Sequence, residues 1–241
     1  MKYKLETIPV WDAFDAEGEC PFCLLEQKAE EGYVKFFMGN SVMVPEMRVE
    51  VNKTGFCRTH YPMLFNTRAN RHALGLMTHT HFSTAFMECG KGLKKLAGGT
   101  KRDLKRGLAQ LAEKFRRDTD ECMICSRIEE TLKRYLFTAL YLWKKDEEGF
   151  RGRYASSKGF CRHHLSPLLE MAGEVLPGKL QGEWIVATAE LMEANTERLD
   201  GELFWYTQKF DFQNDDKPWG TAKDALERGI QKLEGTILKD P

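Results

Sequence analysis

Two copies of one four-ligand pattern constrain this 241-residue chain more than any other feature. Cys20-Pro-Phe-Cys23 returns as Cys122-Met-Ile-Cys125 after 102 residues, and Gly55-Phe-Cys57-Arg-Thr-His60 returns as Gly159-Phe-Cys161-Arg-His-His164 after 104. Cys23 and Cys57 are separated by 33 residues, and Cys125 and Cys161 by 35. A nearly constant offset over so many positions marks a duplicated supersecondary unit. Cys-x2-Cys presents two thiolates from one tight turn, and Cys-x2-His adds a third sulfur and an imidazole. Three soft sulfurs and one nitrogen suit tetrahedral zinc, and four protein ligands leave no position for a reactive water, so the chemistry is structural rather than hydrolytic. An iron–sulfur cluster on the same ligands is the alternative. Taken in linear order, Cys20, Cys23, Cys57 and His60 form one site, and Cys122, Cys125, Cys161 and His164 the other. Register with His60 selects His164 over its neighbour His163, which aligns with Thr59.

Between the ligands the apolar residues recur at helical spacing. Ile128, Leu132, Tyr135, Leu136, Ala139 and Trp143 share one helix face, and Leu24, Leu25, Ala29, Phe36 and Phe37 fit a helix ending near Gly39-Asn40. Pro45 is expected to open a loop. Polar, Gly-bearing segments from Val51 to Gly55 and from Asp146 to Gly159 lead to each Cys-x2-His. Leu64, Leu74, Met77, His81 and Phe86 give helical spacing beyond His60, and Leu168, Leu169, Met171 and Ala172 beyond His164. Leu180 to Leu203 keeps steps of three or four, so one helix is predicted from about Lys179 to Phe210. A terminal helix has Thr221 as N-cap and Asp224 at its third position. Strand-like alternation is scarce. The fold class is all-α, with two Cys-x2-Cys, helix, loop, Cys-x2-His, helix units followed by C-terminal helices. The predicted division is 1–97, a basic linker helix at 98–119, 120–178, and 179–241, with one continuous domain as the alternative.

Charge and cysteine use narrow the setting. Thirty-six basic residues balance thirty-six acidic ones, giving no global attraction to nucleic acid or an anionic membrane. Neither a signal-peptide core nor a membrane span is legible, and seven cysteines arranged mostly as close pairs suit metal ligation better than a secreted disulfide framework, so a cytoplasmic location is expected. Residues 91–117 hold ten Lys or Arg against two acids. That stretch leaves nucleic acid or an acidic partner open, although an exposed linker helix needs solvating charge anyway.

Weaker features have plainer readings. Cys-Pro-Phe-Cys resembles a glutaredoxin-like redox pair, yet no strand precedes Cys20 and the second copy has no proline. His72, His79 and His81 share a predicted helix, where His79 and His81 point about 200° apart and cannot face one ligand. Cys89 stands alone and reads as a small hydrophobe. The expected role is therefore a non-enzymatic interaction or regulatory protein with two structural zinc ions. A cysteine-based redox or metal sensor is the second possibility. An enzyme using the His72 to His81 region or the Pro218-Trp219-Gly220 loop is the third.

The duplicated ligand pattern, together with Lys209-Phe210-Asp211, Lys217-Pro218-Trp219-Gly220 and Lys223-Asp224-Ala225-Leu226, resembles an uncharacterised bacterial family, a domain of unknown function. The resemblance covers nearly the whole chain. It implies a helical protein from an anaerobe-rich group of bacteria and carries no activity with it.

Overall fold

The computed structural model describes residues 6–39 and 44–238, with backbone alone at 101–103, 118–120 and 147. The described residues form eleven α-helices and no strand: α1 (Thr7–Asp15), α2 (Pro21–Met38), α3 (Pro45–Thr54), α4 (His60–Asn66), α5 (Arg71–Ala97), α6 (Lys101–Asp120), α7 (Met123–Lys145), α8 (Phe150–Ser156), α9 (Arg162–Val175), α10 (Gly178–Gln208) and α11 (Ala225–Glu234). None is long and apolar enough to cross a membrane.

The chain divides into two compact units, Met1–Lys28 with Glu130–Pro241, and Ala29–Glu129. These divisions cut across the linear repeats at 1–97 and 120–178, and the cause is the length of two helices. An 18-residue α2 extends about 27 Å and a 23-residue α7 about 34 Å. Each rod starts beside its own Cys pair in one unit and ends in the other, so the Gly-Phe-Cys string that follows is delivered away from that pair. The apolar stripe of α7 divides accordingly: Ile128 lies in the core of the 29–129 unit, while Leu132, Leu136, Ala139 and Trp143 lie in the other core.

In the first unit the core is aromatic. Phe14 and Phe22 meet edge to face at 5.9 Å, and Phe22 stacks on Phe160 at 5.6 Å. The long C-terminal helix follows its predicted stripe, with Trp184, Thr188, Leu191 and Leu199 buried. Tyr154 exchanges a 2.8 Å hydrogen bond with Thr188, and its burial pushes the phenol up. In the second unit, Phe37, Phe56, Leu64, Leu74, Met77 and Ile124 form the core.

Several local expectations are corrected. Pro45 opens no loop: it sits in the first turn of α3, where its missing N–H costs nothing. The segment from Val51 is therefore the end of a helix, closed by Gly55 at φ 65° with its N–H bonded to the Val51 carbonyl at 2.7 Å. The segment from Asp146 contains a 3₁₀ turn and α8. The helical pattern beyond His60 is broken at Asn70, whose left-handed backbone and Oδ1, accepting from the Ala73 N–H at 3.1 Å, start α5 afresh. Thr221 falls in a 3₁₀ turn, and Asp224 rather than Thr221 precedes the terminal helix. The end of α2 falls at Met38, and Asn40, at its expected end, lies outside the described residues.

Candidate metal centres

In the unit containing both termini, Pro21 starts α2 immediately after Cys20, and the Cys23 N–H bonds back to the Cys20 carbonyl at 3.2 Å. The two thiols thus leave one helical turn together. Gly159 holds φ 77°, Phe160 is buried on Phe22, and Cys161 caps α9, its Sγ accepting from the His164 N–H at 3.4 Å. These turns bring His164 Nδ1 to 3.7, 3.5 and 3.1 Å from the sulfurs of Cys20, Cys23 and Cys161. Cys23 and Cys161 sulfurs are 3.5 Å apart.

The second group repeats this arrangement in residues 29–129. His60 Nδ1 lies 3.2, 3.3 and 3.4 Å from the sulfurs of Cys57, Cys122 and Cys125. Cys57 and Cys125 sulfurs are 3.9 Å apart. A backbone hydrogen bond from Met123 to the Gly55 carbonyl at 3.0 Å fastens the second Cys pair to the first Gly-Phe-Cys string. The linear pairing of ligands is therefore corrected: Cys20 and Cys23 join Cys161 and His164, while Cys122 and Cys125 join Cys57 and His60. His164, not His163, meets the sulfurs.

Both groups fit a tetrahedral ion. In each, all four donor atoms lie within 4.8 Å of one another. Metal–sulfur bonds of about 2.3 Å and metal–nitrogen bonds of about 2.0 Å place tetrahedral sulfurs about 3.8 Å apart and sulfur and nitrogen about 3.5 Å apart, close to the spacings observed. A disulfide needs about 2.05 Å, and all seven cysteines are free thiols.

Each imidazole also has a carboxylate behind it. His60 Nε2 is 3.1 Å from Glu30 Oε1, a hydrogen bond, and His164 Nε2 is 3.3 Å from Glu26 Oε2, an ion-pair contact. At His60, Nε2–H toward Glu30 fixes the tautomer that turns Nδ1 to the sulfurs, a common backing for metal-ligating histidine, whereas His164 Nε2 is buried without a hydrogen bond and meets Glu26 by charge alone. Both carboxylates come from α2. The sequence reading missed them, although Glu26 lies one helical turn after Cys23 and so shares its face. The other oxygen of Glu26 is 3.7 Å from the exposed His163.

The charges in each group compete. Three thiolates within 4.8 Å would repel one another, so the protons distribute unevenly. Hydrogen bonds from Cys20 and Cys23 hold the Cys161 thiol far below its ordinary range, while the bond to Cys161 and then Cys20 pushes Cys23 far up. In the other group, burial alone would raise Cys122, but the His60 hydrogen bond and backbone N–H groups bring it down to about 6. Cys125 is raised, first by burial and then by the Cys122 charge. Burial opposes charge on both histidines, yet the adjacent sulfurs and carboxylates raise His60 to about 10 and His164 to about 11. A dication replacing those protons would relieve the repulsion and leave three thiolates and one neutral imidazole at net charge −1. At the Cys20 group, Lys232 interacts with the charges of Glu19, Cys20 and Cys161. Its Nζ donates to the Glu19 carbonyl at 2.7 Å and to the Lys158 carbonyl, while burial lowers its pKa.

The two groups differ in access. Cys20, Cys23, Cys161 and His164 are all buried, whereas Cys125 is exposed and Cys57 half-buried. Cys57 also lines a cleft of about 1160 Å³. Cys89 lines that cleft and belongs to neither group.

His72 and His79 are exposed on α5, and His81 is half-buried beside Gly55, with its Nδ1 3.1 Å from the Asn52 carbonyl. The Pro218-Trp219-Gly220 loop borders a smaller cleft of about 320 Å³. Lys209 organises the loop: its Nζ donates to the carbonyls of Asn214, Asp215 and Lys217 at 2.7 to 2.9 Å, and Trp205 Nε1–H donates to Pro218 O at 3.2 Å. The Lys-Phe-Asp and Lys-Pro-Trp-Gly strings are thus two sides of one internally bonded turn.

No curated protein and no solved structure matches the chain. A family profile described as Family of unknown function (DUF6062) matches residues 1–240, a span that includes both ligand groups and the tail, and the chain belongs to that family.

Proposed function

We propose that each Cys3His group binds one zinc ion as a closed structural site, and that the protein is a non-enzymatic interaction or regulatory protein held in shape by these metals. The observation that carries this reading is the donor spacing: in both groups three sulfurs and one carboxylate-backed imidazole are placed as tetrahedral zinc requires. Each ion would tie the start of α2 or α7 to a Gly-Phe-Cys string far away in sequence, which is where binding energy becomes folding energy. Elemental analysis with an absorption spectrum on protein purified without oxygen tests it. About two zinc ions per chain and no visible absorption are expected on a four-ligand reading. Substoichiometric metal would remove it, and a charge-transfer band with iron would replace zinc by a cluster.

A second reading, a thiol-based sensor, is favoured for the 29–129 unit by the exposed Cys125 and half-buried Cys57. Two-electron oxidation of two ligand thiolates to a disulfide, with peroxide reduced to water, would release that ion first. Mild peroxide treatment should then free one zinc per chain with the Cys20 group intact. Retention of both ions would exclude the sensor.

A further inference from the structure

Most of the α5–α6 pair has no core of its own. α5 has 27 residues, but those it buries are Ala73, Leu74 and Met77, all in its first two turns, and no described side chain from Thr78 to Arg117 is fully buried. Past that point α5 is tied to α3 through His81 and Thr84, which meet Asn52 at 3.1 and 3.2 Å, and farther along it packs on α6. A three-residue link, Gly98–Thr100, makes α5 and α6 antiparallel, and Leu111 and Leu96 sit against Gly92 and Gly107, so close that a Cβ on either glycine would collide.

These contacts fix which residues face away. On α5, Phe82, Phe86 and Leu93 follow steps of four and seven and lie beside the line that contacts α6. On α6, Leu104 and Leu108 lie beside the line that contacts α5, rotated in the same sense. In an antiparallel pair the same sense of rotation puts both rows on one face. All five are 39% to 62% exposed. Phe82 and Phe86 stack at 4.4 Å, a rigid aromatic anchor of the kind that dominates interface energy. The face runs into the 1160 Å³ cleft, whose opposite wall is the end of α3 and the Cys57 turn.

Charge selects the occupant. Residues 91–117 carry ten cations against two anions. Beside the groove, Lys94 and Lys105 make no ion pair among the described residues, and exposed Arg58 lines the cleft. A second copy using the same face would bring like charge onto like charge. A bilayer takes up freely protruding apolar side chains, whereas Phe82 and Phe86 border a cleft. Among the described residues no third helix covers these two apolar rows, whose side chains stay exposed.

We infer that the groove between α5 and α6, anchored by Phe82 and Phe86, is the docking site for an amphipathic helix of a partner protein with an acidic polar face. From Thr78 to Leu93 it is about 22 Å long, roughly four turns of such a helix. The inference gives a partner class to the interaction role proposed above and rests on that role, not on the identity of the metal.

The test uses full-length protein of measured zinc content and two labelled synthetic peptides of about 20 residues, long enough to cover the groove. Both have Leu at the core positions of a heptad, one with Glu and one with Lys elsewhere. Fluorescence anisotropy should show the Glu peptide binding, weakening with salt, and the Lys peptide not binding. Phe86→Ser should weaken the Glu peptide about tenfold or more, as loss of an aromatic hot spot does. Lys105→Glu, an exposed change that leaves the fold alone, should weaken it and begin to admit the Lys peptide. Equal binding of both peptides, or of neither, overturns the inference. So does a dimer in sedimentation that Phe86→Ser abolishes without any peptide binding, or binding to phosphatidylglycerol vesicles in place of the Glu peptide. Zinc content is read on each sample, so a failure of the metal reading is seen separately.

Discussion

The Met123 N–H donates to the Gly55 carbonyl at 3.0 Å, joining residues 68 positions apart and placing the second Cys pair on the first Gly-Phe-Cys string. Every metal-related expectation depends on this exchange of partners between the repeats. Cys57→Ser should therefore leave the thiols of Cys122 and Cys125 open to alkylation, while Cys20 and Cys23 stay protected. Zinc should fall from about two ions per chain to about one. Alkylation mapped by mass spectrometry separates this from pairing within a repeat, in which Cys20 and Cys23 would become reactive instead.

Glu30 and Glu26 face the imidazoles of different groups, by a hydrogen bond and by an ion-pair contact, although both lie on α2. Glu30→Gln should weaken metal binding at the Cys57 group by about 10- to 100-fold, the usual effect of losing a carboxylate behind a ligating histidine. Glu26→Gln should do the same at the Cys20 group. A chelator competition in which each variant releases a different ion is the expected pattern, and release unchanged from the parent would mean the carboxylates do not tune the sites.

The acid stability of the terminal unit should depend on Glu202. Burial alone would raise its carboxyl, but hydrogen bonds from Arg228 and Thr221 and the charges of Arg228 and Arg198 hold it below its ordinary value of 4.5. Because the folded pKa is the lower one, its contribution is complete above the unfolded value and disappears as pH falls through the folded one. The acidic side of the stability profile should therefore steepen below about pH 4.5 in the parent and flatten in Glu202→Gln. At neutral pH that variant should lose about 1.5–3 kcal/mol, the range for a hydrogen bond to a charged group, read by urea denaturation.

Gly55 and Gly159 occupy equivalent places in the two strings and both have positive φ. An added Cβ would lie 2.5 Å from His81 Nε2 at the first and 2.9 Å from Met192 Sδ at the second. Gly55→Ala and Gly159→Ala should each cost about 1–3 kcal/mol from backbone strain alone. Gly32→Ala is the contrast. Its position in the middle of α2 is exposed, with nothing within 4 Å, so it should stabilise by about 0.5–1 kcal/mol. Thermal melts of the three proteins give the comparison directly.

Sequence periodicity located α7 and α10 because each buries a stripe against a core, written at intervals of three and four, and it located α6 because its apolar residues recur on one face although no described side chain there is fully buried. It misjudged α3, where Val51 is the buried residue and no stripe exists to be seen. The sequence by itself determined the helical class and the residues from which the two Cys3His groups are made, since ligand chemistry and internal duplication are both legible in one dimension. Only the tertiary structure decided how those residues are shared. α2 and α7 are too long and stiff to let a Cys pair meet the next Cys-x2-His in line, so each pair closes on the other repeat. The carboxylates of Glu26 and Glu30 depend on the same geometry, because a helix face acquires a neighbour only when the chain has folded.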